Sequence, residues 1–304
     1  MTAGRYLFHN KGGLILYLLQ QIINGLCQGS IYALMAIGYT MIYGVVGLVS
    51  FCYGEIVMVG AFGAYYAFLY SGQLIPGILF GFACAAFLGI FLHKLCYERF
   101  LDSPRHISMI CTVGFSMLVK NLAQIFFGSV PQPTPTVFDN VSYNFAGLTI
   151  SKLQIIIMCV VIIFVIAFTF FLNKTRAGLK LRAVSQDKKA SALVGIDVKK
   201  TTLFGSCLGC ALGGVAGTLL AIYYTSVYPT MGAIVGNKAL SATVLGGLVS
   251  ISGSAMGGLV IGVLENIGIM FIPTGLRDVI AFVFLVLVLI FKPQGLFAKR
   301  RISR

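Results

Sequence analysis

The sequence predicts an all-α, polytopic transmembrane helical bundle of about eight spans (range 7–10), interrupted by discontinuous Gly-rich segments. Three observations predict it. Apolar residues make up 58% of the 304 and charged residues only 10%, against about 25% charged in soluble domains. The apolar residues come in blocks long enough to cross a bilayer, roughly 20 at a time; residues 153–172 carry no charge at all. The basic residues gather at block ends: of 22 Lys and Arg, eight fall in 174–200, five in 292–304 and three in 94–105.

The spans follow in order. The block 14–70 is too long for one crossing and must hold more. Residues 75–96 form a span that ends in basic residues, and 107–127, 153–172 and 203–224 form the next three. The block 239–272 is Gly-rich and reads equally as one crossing or two. Residues 279–291, with their flanks, close the bundle. No block reads as a soluble domain, because the longest polar stretch, 173–202, is too short to bury a core. One membrane domain over 1–304 is therefore expected. The first apolar block runs past the length of a signal-peptide core and lacks a small-residue cleavage site, so no cleavable signal is expected.

Basic loops stay on the cytoplasmic side. That puts 173–202 and the tail 292–304, with Lys299, Arg300 and Arg301, inside. The segment 128–151, whose one charge is Asp139 and which carries Pro131, Pro133 and Pro135, goes outside. An N-terminus that is also inside would make the span count even. The same clustering disposes of nucleic-acid binding as the meaning of the net charge of +14, since the charge sits where membrane orientation needs it.

Two stretches read as breaks at membrane depth, 43–55 and 236–253. Repeated Gly weakens a helix by about 1 kcal/mol per residue, and non-helical backbone survives in a bilayer only beside protein or a water-filled cavity. Such breaks mark transport pathways. Both contain Gly-Leu-Val-Ser, at 47–50 and 247–250, which is either a relic of related halves or chance in a biased composition. The candidate path or gate residues lie in or beside these stretches: Tyr39, Tyr43, Gly54, Glu55, Asn237, Lys238 and Ser241. Glu55, Lys238, Glu265 and Lys120 would each cost several kcal/mol facing lipid. Each reads either as a path residue or as a paired structural charge.

In 203–224, Gly205, Gly209, Gly213 and Gly217 form an i, i+4 ladder on one helix face. Small residues let membrane helices approach closely, within the subunit or against a second one. Gly77/Gly81, Gly253/Gly257 and Gly258/Gly262 repeat the theme.

No catalytic or metal constellation is visible. His9, His93 and His106 lie near span ends and form no cluster. The eight Cys imply no disulfide framework, and Cys207-Leu-Gly-Cys210 reads as small packing residues in an apolar helix. No phosphate-binding Gly-rich loop exists: the nearest string, 232–238, has the wrong spacing. If ATP drives transport, another polypeptide supplies the ATPase. The cytoplasmic loop carries Leu179, Ala183, Ala190, Leu193 and Val194, which can line one face of short helices ending at Gly195. Such a face suits a groove on a partner or the lipid headgroups.

The chain resembles the permease subunits of branched-chain amino acid ABC transporters of the LivH type. The resemblance covers nearly the whole sequence. It is carried by 24–44 (NGLCQGSIYALMAIGYTMIYG), by Phe51-Cys-Tyr-Gly-Glu55, and by Arg182-Ala183 with Asp187 and Ala190-Ser-Ala-Leu-Val-Gly-Ile196. It continues in Lys238-Ala239, in 244–258 (VLGGLVSISGSAMGG) and in 291–297 (FKPQGLF). Cys52 and Tyr53 depart from the expected Ala-His. The resemblance implies an importer subunit without its own enzymatic activity, paired with a second homologous permease, in the bacterial cytoplasmic membrane. It implies two cytoplasmic ATPase subunits that hold ATP and Mg, an external substrate-binding protein, and no cofactor in this chain. It makes 182–196 the coupling helix, with Arg182, Ala183, Asp187, Ala190, Leu193 and Gly195 as the ATPase-coupling residues. Urea, amides or other amino acids are alternative substrates within the family. A stand-alone secondary transporter or channel would need more intramembrane ionisable groups, and a membrane enzyme a polar cluster at a span end.

Overall fold

The structure is a computed structural model, and it describes residues 11–100, 104–135, 141–145, 148–271, 273–292 and 295–296. The basic tail residues Lys299, Arg300 and Arg301, together with Arg5, His9 and Asp139, lie outside the described residues.

Nine helices of 15 residues or more account for most of the described chain. They are α1 (Lys11–Val46), α2 (Tyr53–Ser71), α3 (Leu74–Leu92, extended by a π-helical turn His93–Glu98), α4 (Arg105–Phe127), α5 (Lys152–Lys174), α8 (Val198–Tyr224), α9 (Met231–Gly246), α10 (Ile251–Gly268) and α11 (Arg277–Phe291). Two short helices, α6 (Arg176–Gln186) and α7 (Lys188–Leu193), form the basic loop. Six of the long helices are apolar and long enough to cross a bilayer by themselves. The others, α2, α9 and α11, complete the bundle, so the architecture is the all-α polytopic one that the sequence predicts.

Local chemistry sets the boundaries. Ser151 caps α5 in a reciprocal box with Gln154, satisfying two otherwise orphaned N–H groups. Asp197 caps α8 through the Lys200 N–H; that N–H and the Lys200 ammonium hold the Asp197 carboxyl below its usual range. At the other end of α8, Tyr224 meets a two-stranded contact between Gln132–Pro133 (β1) and Ser226–Val227 (β4). A second ribbon pairs Ser142–Phe145 (β2) with Leu148–Ser151 (β3). These ribbons use the Pro-rich, charge-poor segment, and together they define one end of the molecule.

The breaks are shorter than the sequence suggests. Helix α1 runs to Val46 and α2 starts at Tyr53, so the first break is 47–52 rather than 43–55. The second is 247–250: α9 is helical through Gly232, Gly236 and Gly246, and the expected discontinuity over 236–246 is absent. Composition alone cannot separate a helix-breaking Gly from one that permits close packing. Here Gly232 and Gly236 pack against the backbone at Gly54. Both breaks coincide with Gly-Leu-Val-Ser, and Gly47 and Gly247 both take positive φ, 80° and 102°, which only Gly adopts freely.

The N-terminal part of α1 belongs to the ribbon end. Gln20 bonds the backbone of Thr149 in both directions, and Asn24 accepts from Gln154. Its far end meets the basic loop, where the Lys188 ammonium donates to the Val46 carbonyl at 2.7 Å. The two ends of α1 therefore lie at opposite ends of the molecule.

The Gly ladder packs inside the subunit. A Cβ on Gly205 would meet Val45 at 3.0 Å and Leu181 at 2.9 Å, and one on Gly209 would lie 2.6 Å from the Gly38 carbonyl. Gly213 faces the Tyr53 ring, and Gly217 abuts the Val57 carbonyl. Helix α8 thus sits at the centre, seated on α1 and α2, while Gly214 on its other side meets Gly81 and Ala85 of α3. In α10, Gly253 and Gly257 meet Gly246 and Ala242 of α9, and Gly258 and Gly262 meet Ala33 and Gly29 of α1.

Candidate functional site

Two cavities flank α9, and the helical period assigns its residues to them. Gly232, Ala233, Gly236, Asn237 and Leu240 face a cavity of about 120 Å3. Met231, Ile234, Val235 and Lys238 face a second, of about 240 Å3. A spacing of i, i+3, i+4 and i+7 defines one helix face, so α9 is a partition with a different chemistry on each side.

The smaller cavity is built on the first break. Tyr39, Ser50, Phe51, Tyr53, Gly54, Glu55 and Ser116 complete its lining. Three contacts hold the break at this depth. The Tyr39 hydroxyl donates to the Ser50 carbonyl at 3.0 Å, and the Tyr53 hydroxyl to the Met35 carbonyl at 2.9 Å. The two rings meet edge to face at 5.1 Å. Burial of a re-entrant backbone requires such partners, since lipid offers none. Tyr53 is therefore one of the residues that fix the break. Glu55 lies in the first turn of α2, where the helix dipole favours a carboxylate, and faces Ser116 with Lys120 farther off.

The larger cavity lies toward the ribbon end. It is lined by Tyr32, Leu220, Tyr224, Ser226, Tyr228, Arg277 and Asp278 beside the α9 residues. Behind it runs a charge network spanning four helices. The Lys238 ammonium lies 3.1 Å from Glu265 and 2.8 Å from Asp278, and Arg277 Nε lies 3.1 Å from Glu265 Oε2. Gln28 links Glu265, Tyr224 and Arg277, and Asn266 donates to Gln28 at 3.0 Å. The Lys238 and Glu265 side chains are 5% and 0% exposed, so each depends on the other for its charge to be tolerated there.

The candidate path residues consequently divide. Tyr39, Gly54, Glu55 and Asn237 converge on the smaller cavity, whereas Lys238 points to the larger one. Tyr43 lines neither; its carbonyl accepts the Gly47 N–H at the start of the break. The Ser241 hydroxyl is spent on the Asn237 carbonyl within α9. Sequence reasoning missed Gln28, Tyr32 and Asp278 as site residues. The available signal was the pair Arg277-Asp278, two charges abutting an uncharged apolar run.

At the opposite end, the loop helices are locally well determined. Thr175 caps α6 through the Gly178 N–H, and Asp187 caps α7 through the N–H groups of Lys189 and Ala190 at 2.8 and 3.1 Å. Leu181 and Val184 of α6 are the residues buried against the bundle. Leu179, Leu193 and Val194 point outward, and Leu193 and Val194 are 89% and 81% exposed. Gly195 turns the chain back at φ 82°, Ala183 is half-buried and Ala190 is exposed. Arg182 donates to the side-chain Oδ1 of Asn173 at 3.2 Å.

Among the described residues no group of three or more His, Cys, Asp or Glu could hold a metal ion. Cys210 of the C-x-x-C string is buried against Gly89.

The profile described as "Branched-chain amino acid transport system / permease component" matches residues 21–289. The chain is 32% identical to the high-affinity branched-chain amino acid transport system permease protein LivH of Escherichia coli K12, over 95% of this chain and 98% of the relative. It is 33% identical to the corresponding protein BraD of Pseudomonas aeruginosa, over 95% and 99%. A more distant likeness, 24% over 82% of this chain and 78% of the relative, is to the ribose import permease protein RbsC of Escherichia coli K12. No solved structure matches.

Proposed function

The chain belongs to the branched-chain amino acid transport permease family, and we propose that it is the membrane subunit of an ATP-binding-cassette importer that forms the path for branched-chain or other hydrophobic amino acids. In this reading an external binding protein delivers the substrate at the ribbon end. A second permease completes the path, and two ATPase subunits dock at the α6–α7 end on the cytoplasmic side. The basic residues of that end favour this orientation. ATP and its Mg belong to the ATPase subunits.

One observation carries the reading. The exposed helix α7 is tied by Lys188 to the carbonyl of Val46, the last residue of α1 before the first break. A cation at a helix C-terminus also complements the helix dipole. Displacement of α7 by a closing ATPase pair therefore acts on the backbone that leads through Gly47 to Ser50 and the smaller cavity. Ligand and ATP then bias one two-state element from opposite ends, which is what coupling between distant sites requires.

The test is affinity purification of the tagged chain in mild detergent. Recovery of an ATPase and a second permease, with the ATPase lost on deletion of 183–196, supports the reading. A chain that purifies alone and transports in liposomes without ATP overturns it in favour of a secondary transporter or channel.

A further inference from the structure

We propose that the larger cavity is a binding site for the zwitterion of an aliphatic α-amino acid, held inside the permease itself. The proposal rests on the permease reading above and adds to it a place where the membrane subunit inspects the substrate.

The lining divides into three chemical parts. Arg277 presents a guanidinium, whose five N–H donors in a fixed fork suit a carboxylate. Two of its nitrogens are engaged by Glu265 and Gln28, and the side chain still borders the cavity. Asp278 presents a carboxylate whose Oδ1 bridges to Lys238. It is 44% exposed, so it stands at the rim, where an arriving ammonium would meet it. Leu220, Met231, Ile234 and Val235 form an apolar wall. The volume of about 240 Å3 lies just under the roughly 300–1000 Å3 of drug-sized ligand sites, a scale that suits a small metabolite.

Charge balance narrows the ligand class. The network holds two cations and two anions. A lone carboxylate or a lone amine entering it would leave one charge unbalanced in a low-dielectric site, which is strongly unfavourable. A zwitterion adds no net charge and carries both groups on one α-carbon, within reach of a cavity that both Arg277 and Asp278 line. The aliphatic side chain then falls to the wall on α9, the partition from the smaller cavity. A transport site must also release its ligand, so weak, millimolar-range binding of about 1 mM is expected.

The experiment uses the assembled permease–ATPase complex in nanodiscs without binding protein, and measures equilibrium binding of radiolabelled leucine. Saturable binding is expected, displaced by isoleucine and valine but not by 4-methylpentanoate, which lacks the ammonium, or 3-methylbutylamine, which lacks the carboxylate. Asp278→Asn, at the rim, is expected to weaken leucine binding by at least about tenfold, as loss of a charged partner does. Three results overturn the proposal: no saturable leucine binding, displacement by the single-charge analogues as strong as by valine, or unchanged affinity in Asp278→Asn. Any of these alongside ATP-driven leucine uptake by the complete wild-type system leaves the importer reading standing. Absence of amino acid uptake by that complete system overturns the importer reading itself.

Discussion

Gly54 of α2 and Gly232 of α9 meet backbone to backbone. A Cβ built on Gly54 would overlap the Gly232 carbonyl oxygen, and one on Gly232 would lie 2.9 Å from the Gly54 carbonyl oxygen. Neither neighbour is a flexible side chain, so relief requires the helices to separate. Gly54→Ala is expected to destabilise the protein by about 1–3 kcal/mol, as overpacking does, and to lower uptake. Gly114→Ala is the control, because nothing lies within 4 Å of its Cβ position. Thermal unfolding in detergent separates the two variants; equal midpoints would refute the close approach.

Gly209→Leu and Gly213→Leu test where the ladder faces. Gly209 contacts Gly38 and Ile42 of α1, and Gly213 contacts Tyr53 of α2. A bulky side chain at either position is expected to unfold the isolated subunit, seen as loss of monodisperse protein in size-exclusion chromatography. Stable subunits that only fail to pair with a second permease would mean that the ladder faces a partner.

How legible this was in the sequence varies with the range of the interaction involved. The positions of the breaks were visible because Gly47 and Gly247 combine a local repeat with a backbone demand that few residues meet. Their lengths were not, since Gly232 and Gly236 are small for the sake of Gly54, some 180 positions earlier in the chain. The larger cavity is farther still from local signals: Gln28 and Arg277 meet across a sequence separation of 249. No spacing rule spans that distance. The short helices of the loop and their stop at Gly195 are legible in the sequence, whereas the burial of Leu181 and Val184 against the bundle is not, because it depends on distant partners.

Leu193→Asp examines docking at the loop end. Leu193 is almost fully exposed, so the substitution has no packing to lose and stability is expected to change by less than about 0.5 kcal/mol. ATPase co-purification is expected to fall sharply. Asp187→Ala removes the cap of the six-residue helix α7, with a cost near 1 kcal/mol, and is expected to reduce ATP-coupled uptake while leaving membrane insertion intact. Full recovery of ATPase and uptake in both variants would remove α7 from the coupling pathway.

Lys238→Met addresses the charge network directly. The wild-type site balances Lys238 and Arg277 against Glu265 and Asp278. Removing the lysine leaves Glu265, which is fully buried, with Arg277 as its remaining cation, and leaves the four-helix junction one negative charge in excess. Breaking a buried pair from one side typically costs about 3–5 kcal/mol. Adding Glu265→Gln restores neutrality, because Arg277 and Asp278 remain, and the amide can still bond Gln28 and Tyr32. The double variant is therefore expected to recover part of the stability lost by Lys238→Met alone, a non-additivity that residues in direct contact show. Thermal midpoints of the two single variants and the double form a complete cycle. Strictly additive losses would mean that Lys238 and Glu265 do not stabilise one another, and the network would then reduce to the Lys238–Asp278 and Arg277–Glu265 bridges acting separately.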